Sequence, residues 1–186
     1  MTLYTKQNYG TGVGISSGSV PTDEWVFITL NRTGGVFNTY INGVLKVGSG
    51  MVSNSNNTLF IGSNPNIIVD DLRFYDESLS DAEVLAVYNN QFPSDSLIAA
   101  YKFNRNEKML FNGLEDGSGN GYDLTIQGTA IDFVTGKYNL PTSAVKTTSS
   151  WLQSEDMSDH DINLTSEGTV SFWWKVSSDY GDYQRG

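Results

Sequence analysis

Val36-Phe37-Asn38-Thr39-Tyr40-Ile41-Asn42-Gly43-Val44-Leu45-Lys46-Val47 reads as two β-type runs joined by a two-residue turn. Asn-Gly supplies the two positive φ values that a type I′ hairpin demands, and the twist of that turn matches the strands beside it. Just upstream, Trp25-Val26-Phe27-Ile28-Thr29-Leu30 is apolar on both alternating faces, the pattern of a central strand covered on both sides. Further runs at 58–62, 67–75, 97–103, 122–127, 131–134, 143–147, 151–154 and 168–176 lie between turn signals, the spacing of a sandwich or barrel. One helix is expected over 80–90: Ser80 caps with Glu83, and Val84, Val87 and Tyr88 then share a face, with Leu85 beside them. Residues 91–96, broken by Pro93, form a connector, and 115–121 is too glycine-rich to be anything but a loop.

The 186 residues suit one domain with a substantial core. The absence of cysteine excludes a disulfide framework, a thiolate metal site and a thiol nucleophile. With 21 Asp and Glu against 11 Lys and Arg, the chain repels a phosphate backbone, so no nucleic-acid partner is expected. Its apolar runs fall far short of the ~20 residues of a membrane helix, so no membrane insertion is expected. The N-terminus shows no signal-peptide pattern. Charged residues make up only 17 % while aromatics reach 12 %, the profile of a β-rich, loop-decorated surface.

Several blocks carry a family resemblance. Glu24-Trp25-Val26-Phe27-Ile28-Thr29, Tyr40-Ile41-Asn42-Gly43-Val44, Leu59-Phe60-Ile61-Gly62, Val69-Asp70-Asp71-Leu72-Arg73-Phe74-Tyr75 and Leu79-Ser80-Asp81-Ala82-Glu83 resemble the second half of laminin G-like, concanavalin A-like jelly-roll domains. Ala100-Tyr101-Lys102-Phe103, Asp116-Gly117-Ser118-Gly119-Asn120-Gly121-Tyr122-Asp123, Gly136-Lys137-Tyr138 and Gly168-Thr169-Val170-Ser171-Phe172-Trp173 resemble the first half. The order is circularly permuted: 1–90 resembles the family's C-terminal half, 91–96 connects, and 97–186 resembles its N-terminal half. The resemblance implies an all-β, antiparallel jelly-roll sandwich with one short helix, either a permuted single domain or a slice through a tandem array. Self-association by edge exchange is the further expectation, because a half-sandwich presents unpaired edges.

The catalytic inventory is poor. His160, the one histidine, lies in an acidic loop, and no Gly-x-Ser-x-Gly elbow accompanies it. A jelly-roll glycosidase needs two carboxylates about 5–10 Å apart across a cleft. Asp70 and Asp71 are adjacent in a strand and are expected on opposite faces. No enzyme is therefore expected.

A metal site has two readings. Asp116, Ser118 and Asn120 at alternate positions before Gly121 resemble the opening of a calcium loop, although Gln127 stands where a bidentate Glu would close it and no helices flank it. The family resemblance implies a structural calcium ion held by Asp70, Asp116, Asn120 and Asp123. In the other reading these side chains bond the turn's own backbone, and Asp70 caps the amides of a neighbouring loop.

For a ligand, sugar rings stack on flat side chains while Asn and Gln bond hydroxyls. The expected pool is Tyr9, Trp151, Trp173, Tyr180 and Tyr183, with Asn64 and Asn66 as polar partners. Trp173 and Trp174, as strand neighbours, face opposite sides. Trp174 joins Val170, Phe172 and Val176 in the core, whereas Trp173, with Ser171 and Lys175, lies on a shallow binding face or in a second layer. The resemblance thus implies a lectin-like binding module for a glycan or a protein surface. The alternative is a structural domain of a surface or virus-particle fibre protein. Either places the chain outside the cell or on a particle.

Overall fold

The structure, a computed structural model, describes residues 21, 23–34, 36–51, 60–62, 67–92, 95–104, 109–110, 113–128, 131–147, 151–154 and 167–176. One sheet contains β1 (Val26–Thr33), β2 (Val36–Ile41), β3 (Val44–Met51), β5 (Ile67–Tyr75), β6 (Leu97–Tyr101), β10 (Asp132–Val134), β11 (Ala144–Thr147) and β13 (Gly168–Val176). The other contains β4 (Phe60–Gly62), β7 (Met109–Leu110), β8 (Gly113–Leu114), β9 (Leu124–Gln127) and β12 (Trp151–Ser154). Among the described residues one helix, α1 (Asp81–Tyr88), completes the architecture. Every pairing is antiparallel. The expected all-β sandwich is formed.

The first sheet runs β10-β11-β5-β13-β1-β2-β3, with β6 also on β5. β13 therefore stands between two strands from the opposite end of the chain. Trp174 pairs with both Val26 and Val69, and Trp173 with Phe27 and Asp70. The main core lies between the sheets, where Val26, Ile28, Leu72, Phe74, Trp174 and Val176 meet Leu114, Leu124 and Leu152. A second core lies on the outer face of the larger sheet, where Phe27, Tyr40, Tyr75 and Trp173 pack against Leu79, Val84 and Val87. Alternation along β13 sends its two tryptophans into different cores, and Trp173 takes the second-layer position.

The helix is placed by its ends and by the hairpin. Glu83 N donates to Ser80 Oγ at 3.3 Å and Ser80 N to Glu83 Oε2 at 2.8 Å, the reciprocal capping box. The Ser80 hydroxyl, donating to Glu83 Oε2 at 2.7 Å, and then the Ser80 amide hold the Glu83 carboxyl below its usual range. Asn42 and Gly43 adopt φ of 52° and 75°, and Asn42 Oδ1 accepts from Phe27 N at 2.9 Å, so the turn folds back onto β1. A Cβ at Gly43 would lie 3.0 Å from Leu85, which explains why the turn closest to the helix carries glycine.

β1 extends to Thr33, past the expected end at Leu30, because Asn31 has buried partners. Its Nδ2 donates to Leu79 O at 2.5 Å, and Oδ1 accepts from Ser78 Oγ at 2.9 Å. Thr169 Oγ1 lies 2.9 Å from Asn31 Oδ1 and accepts from Leu79 N at 3.1 Å. One carboxamide thus ties β1, β13 and the segment leading into α1. It is 2 % exposed, so the Asn31-Arg32-Thr33 sequon is closed to glycosylation in the folded chain. We predict that Asn31→Ala leaves buried groups unpaired and costs about 2–4 kcal/mol, read as a lower urea midpoint with an unchanged slope.

Candidate functional site

Among the described residues, two clusters hold the acidic side chains that the sequence singles out. The first is the 115–123 turn. Asp116 is 5 % exposed. Its Oδ1 accepts from Ala100 N at 2.8 Å and Ser118 N at 2.9 Å, and its Oδ2 lies 2.5 Å from Ser118 Oγ and accepts from Tyr122 N at 3.3 Å. Asp123 Oδ1 accepts from Asp116 N at 2.9 Å, and Asn120 Nδ2 donates to Ile98 O at 2.9 Å. Together these bonds clamp the turn to β6. The Tyr101 hydroxyl donates to Tyr122 O, and burial pushes its pKa up.

Donors of the chain itself occupy the carboxylate oxygens of this turn. A cation needs converging oxygen lone pairs, whereas Asp116 is ringed by N–H and O–H donors aimed at its carboxylate. Asp70 serves a different turn, and no group of three His, Cys, Asp or Glu suited to a metal occurs among the described residues. The implied set Asp70, Asp116, Asn120 and Asp123 therefore does not converge, and backbone capping accounts for the residues.

The second cluster forms a rim where β5, the C-terminal end of α1 and the 135–143 turn meet. It begins with a bulge. Ser171 pairs with Arg73 and Trp173 with Asp70, so Asp71 and Leu72 together oppose Phe172. Asp71 takes φ of 48°. The extra residue shifts the alternation: Val69, Leu72 and Phe74 all enter the main core, while Asp70 shares the side of Trp173. Asp71 turns to Arg73 on that side, whose Nε and Nη2 lie 2.9 and 2.8 Å from Asp71 Oδ1. The expected division of Asp70 and Asp71 between faces is thus overturned by the bulge.

Asp70 is buried, and its Oδ2 accepts from Lys137 N at 2.8 Å. Burial pushes its carboxyl up to about 6, with the nearby Asp71 adding to the rise and the Lys137 bond opposing it. The turn it holds carries Tyr138, whose hydroxyl donates to Asn90 Oδ1. The Tyr138 ring is 48 % exposed and Phe92 37 %, with Leu140 two residues after Tyr138 and Asn139 open to solvent. Both cations here lie on aromatic faces. Arg73 Cζ is 3.3 Å from the Phe92 centroid, and Lys137 Nζ is 4.4 Å from that of Trp173. Asp71, Asn90, Asn139 and Thr142 all have φ between 48° and 61°, conformations that side-chain-bearing residues rarely hold.

Of the expected ligand residues, Trp173 is 5 % exposed and lies within 5.0 Å of Phe27 and 5.7 Å of Tyr88, ring centre to ring centre. It belongs to the second core rather than to a binding face, because α1 covers its side of β13. Only the backbone of Trp151 is described, in β12 beside β4 and β9. Tyr9, Asn64, Asn66, Tyr180, Tyr183 and His160 lie outside the described residues. The sequence does not mark Tyr138, Asn90 and Phe92 as ligand residues. The signal was the Gly136-Lys137-Tyr138 block, whose glycine marks a tight turn.

Residues 1–85 match the model of a laminin G-like family in the concanavalin A-like lectin/glucanases superfamily. The match spans the blocks between Glu24 and Glu83, while those between Ala100 and Trp173 lie outside it. No curated protein and no solved structure matches the chain.

Two measurements follow from these geometries. Asp116→Ala should destabilise by about 3 kcal/mol by orphaning several donors, and the melting temperature of the parent protein should be the same in calcium and in chelator. For Asp70, the folded value lies above the ordinary 3.8, so its stabilising contribution is full below 3.8 and is lost as pH rises through about 6. Between pH 4 and 6.5 the parent should therefore lose up to about 3 kcal/mol relative to Asp70→Asn, measured by urea titration at each pH.

Proposed function

We propose that this domain is a non-catalytic binding module that recognises uncharged glycans through the rim of Asn90, Phe92, Tyr138 and Asn139. A laminin G-like sandwich fits a binding role in general, and the observation that carries the finer reading is the fixed, half-exposed ring of Tyr138 beside a carboxamide. A sugar stacks its C–H face on such a ring while Asn side chains bond its hydroxyls. Fixing the ring in advance lowers the ordering cost of binding. The cations at the rim are engaged by Asp71 and by aromatic faces, and the net charge of -10 opposes anionic sugars. Neither carboxylate is presented as a catalytic pair, since Asp70 is buried under its turn and Asp71 is held by Arg73.

Laminin G-like domains are often extracellular, and a glycan-binding role places this one at a cell or particle surface. No helix among the described residues is long and apolar enough to cross a membrane. A second reading, assembly within a fibre, draws on β3, which pairs only with β2 among the described strands and exposes Val44 and Leu45.

A glycan array separates these readings. Uncharged glycans should give signal that survives chelator, and Tyr138→Ala should lower it at least ten-fold at an unchanged melting temperature. A blank array overturns the glycan reading. Concentration-dependent association by light scattering would then favour assembly.

A further inference from the structure

We propose that Asp70 is the positioning residue of this rim, seated in the space that a side chain at 136 would fill and fixing the 135–143 turn so that Tyr138 reaches Asn90. The inference rests on the reading of the rim as the binding site, and it assigns a role to a strand carboxylate that contacts no ligand itself.

A carboxylate inside an otherwise apolar strand is costly unless it is used. Here the β5 bulge turns Asp70 out of the main core and places it beneath the turn. Space there is tight. A Cβ added at Gly136 would lie 2.5 Å from Asp70 Oδ2 and 2.3 Å from Ser143 Oγ, closer than real contacts allow. Gly136 is therefore glycine because the carboxylate and the Ser143 hydroxyl occupy its side-chain volume. From that seat Oδ2 takes the Lys137 amide at 2.8 Å. The rest of the turn closes around the same point: Asn139 N donates to Gly136 O, Gly136 N to Leu140 O, and Ser143 Oγ to Leu140 O at 2.8 Å. Tyr138 follows the anchored amide by one residue, so the direction of its ring is set where Asp70 holds Lys137. Its hydroxyl then meets Asn90, 48 residues away in sequence.

The test uses the full chain and two readouts that need no ligand: hydrogen exchange at the Lys137 amide, and the nuclear Overhauser contact between the Tyr138 ring and the Asn90 side-chain amide. Asp70→Ala should raise Lys137 exchange at least ten-fold and remove the Tyr138–Asn90 contact, while amides of the 115–123 turn keep their protection. Asp70→Asn retains an acceptor oxygen and should restore both. If Asp70→Ala does not fold, Gly136→Ala, which pushes a methyl into the carboxylate, should produce the same local loss. On the glycan array Asp70→Ala should behave as Tyr138→Ala does, and Asp70→Asn as the parent. Unchanged Lys137 protection, or a persisting Tyr138–Asn90 contact, in the Asp70→Ala or Gly136→Ala protein overturns the proposal. A blank array with the local loss intact overturns the glycan reading and leaves the positioning role standing.

Discussion

The insertion of β13 between β5 and β1 is the constraint on which the rest of this structure depends. Two strands from the amino-terminal part of the chain are held one strand apart, and both ladders are completed by a segment from its other end. Because successive strand residues face opposite sides, the adjacent Trp173 and Trp174 fill two cores at once. Each large aromatic buries enough surface to dominate its layer. Trp174 closes the space between the sheets, and Trp173 provides the floor on which α1 rests through Tyr88 and Val84.

The rim grows out of that arrangement. The bulge that frees Asp70 and Asp71 from alternation lies in β5 where it pairs with β13, opposite Phe172. Without it, Val69 and Phe74 would face opposite sides, and Asp71 would share the side of Val69, which directs a charge into the main core. With it, one carboxylate anchors a turn and the other pairs with Arg73. The outer face of the larger sheet then has two regions: an apolar one under α1, and a polar one where turns converge and the exposed aromatic rings lie. Left-handed backbone at Asp71, Asn90, Asn139 and Thr142 is concentrated around this second region. Such conformations are tolerated where surrounding bonds fix them, as Asp70 and Asn90 do here.

Local patterns in the sequence were sufficient for much of the fold. The Asn42-Gly43 hairpin, the capped helix and the double-faced β1 follow from rules that act over a few residues, and each is present. Alternation fails at Asp70 and Asp71 for an equally local reason: it holds only while the ladder is regular, and nothing in Val69-Asp70-Asp71-Leu72 announces the extra residue. β7 and β8 leave no mark in the sequence, because two-residue strands carry no periodicity. The Asp116 turn was ambiguous, since the same side chains bind cations or cap amides, and only the direction of the neighbouring N–H groups separates the two. The Tyr138 rim was out of reach because its members come from three distant segments. Gly136 hinted at a crowded turn without saying what crowded it.

The order in which the chain is made gives the placement of β13 another meaning. Thr169 meets Asn31 across 138 residues of sequence, and the ladders on either side of β13 are comparably long-range. Loop closure of that span must be paid before any pairing rewards it, which places this topology among the slow folders. As the polypeptide leaves the ribosome, β1 and β5 emerge before β13, the strand that pairs with both. Until β13 docks, their facing backbone edges and the apolar side chains it covers stand open to association with other copies.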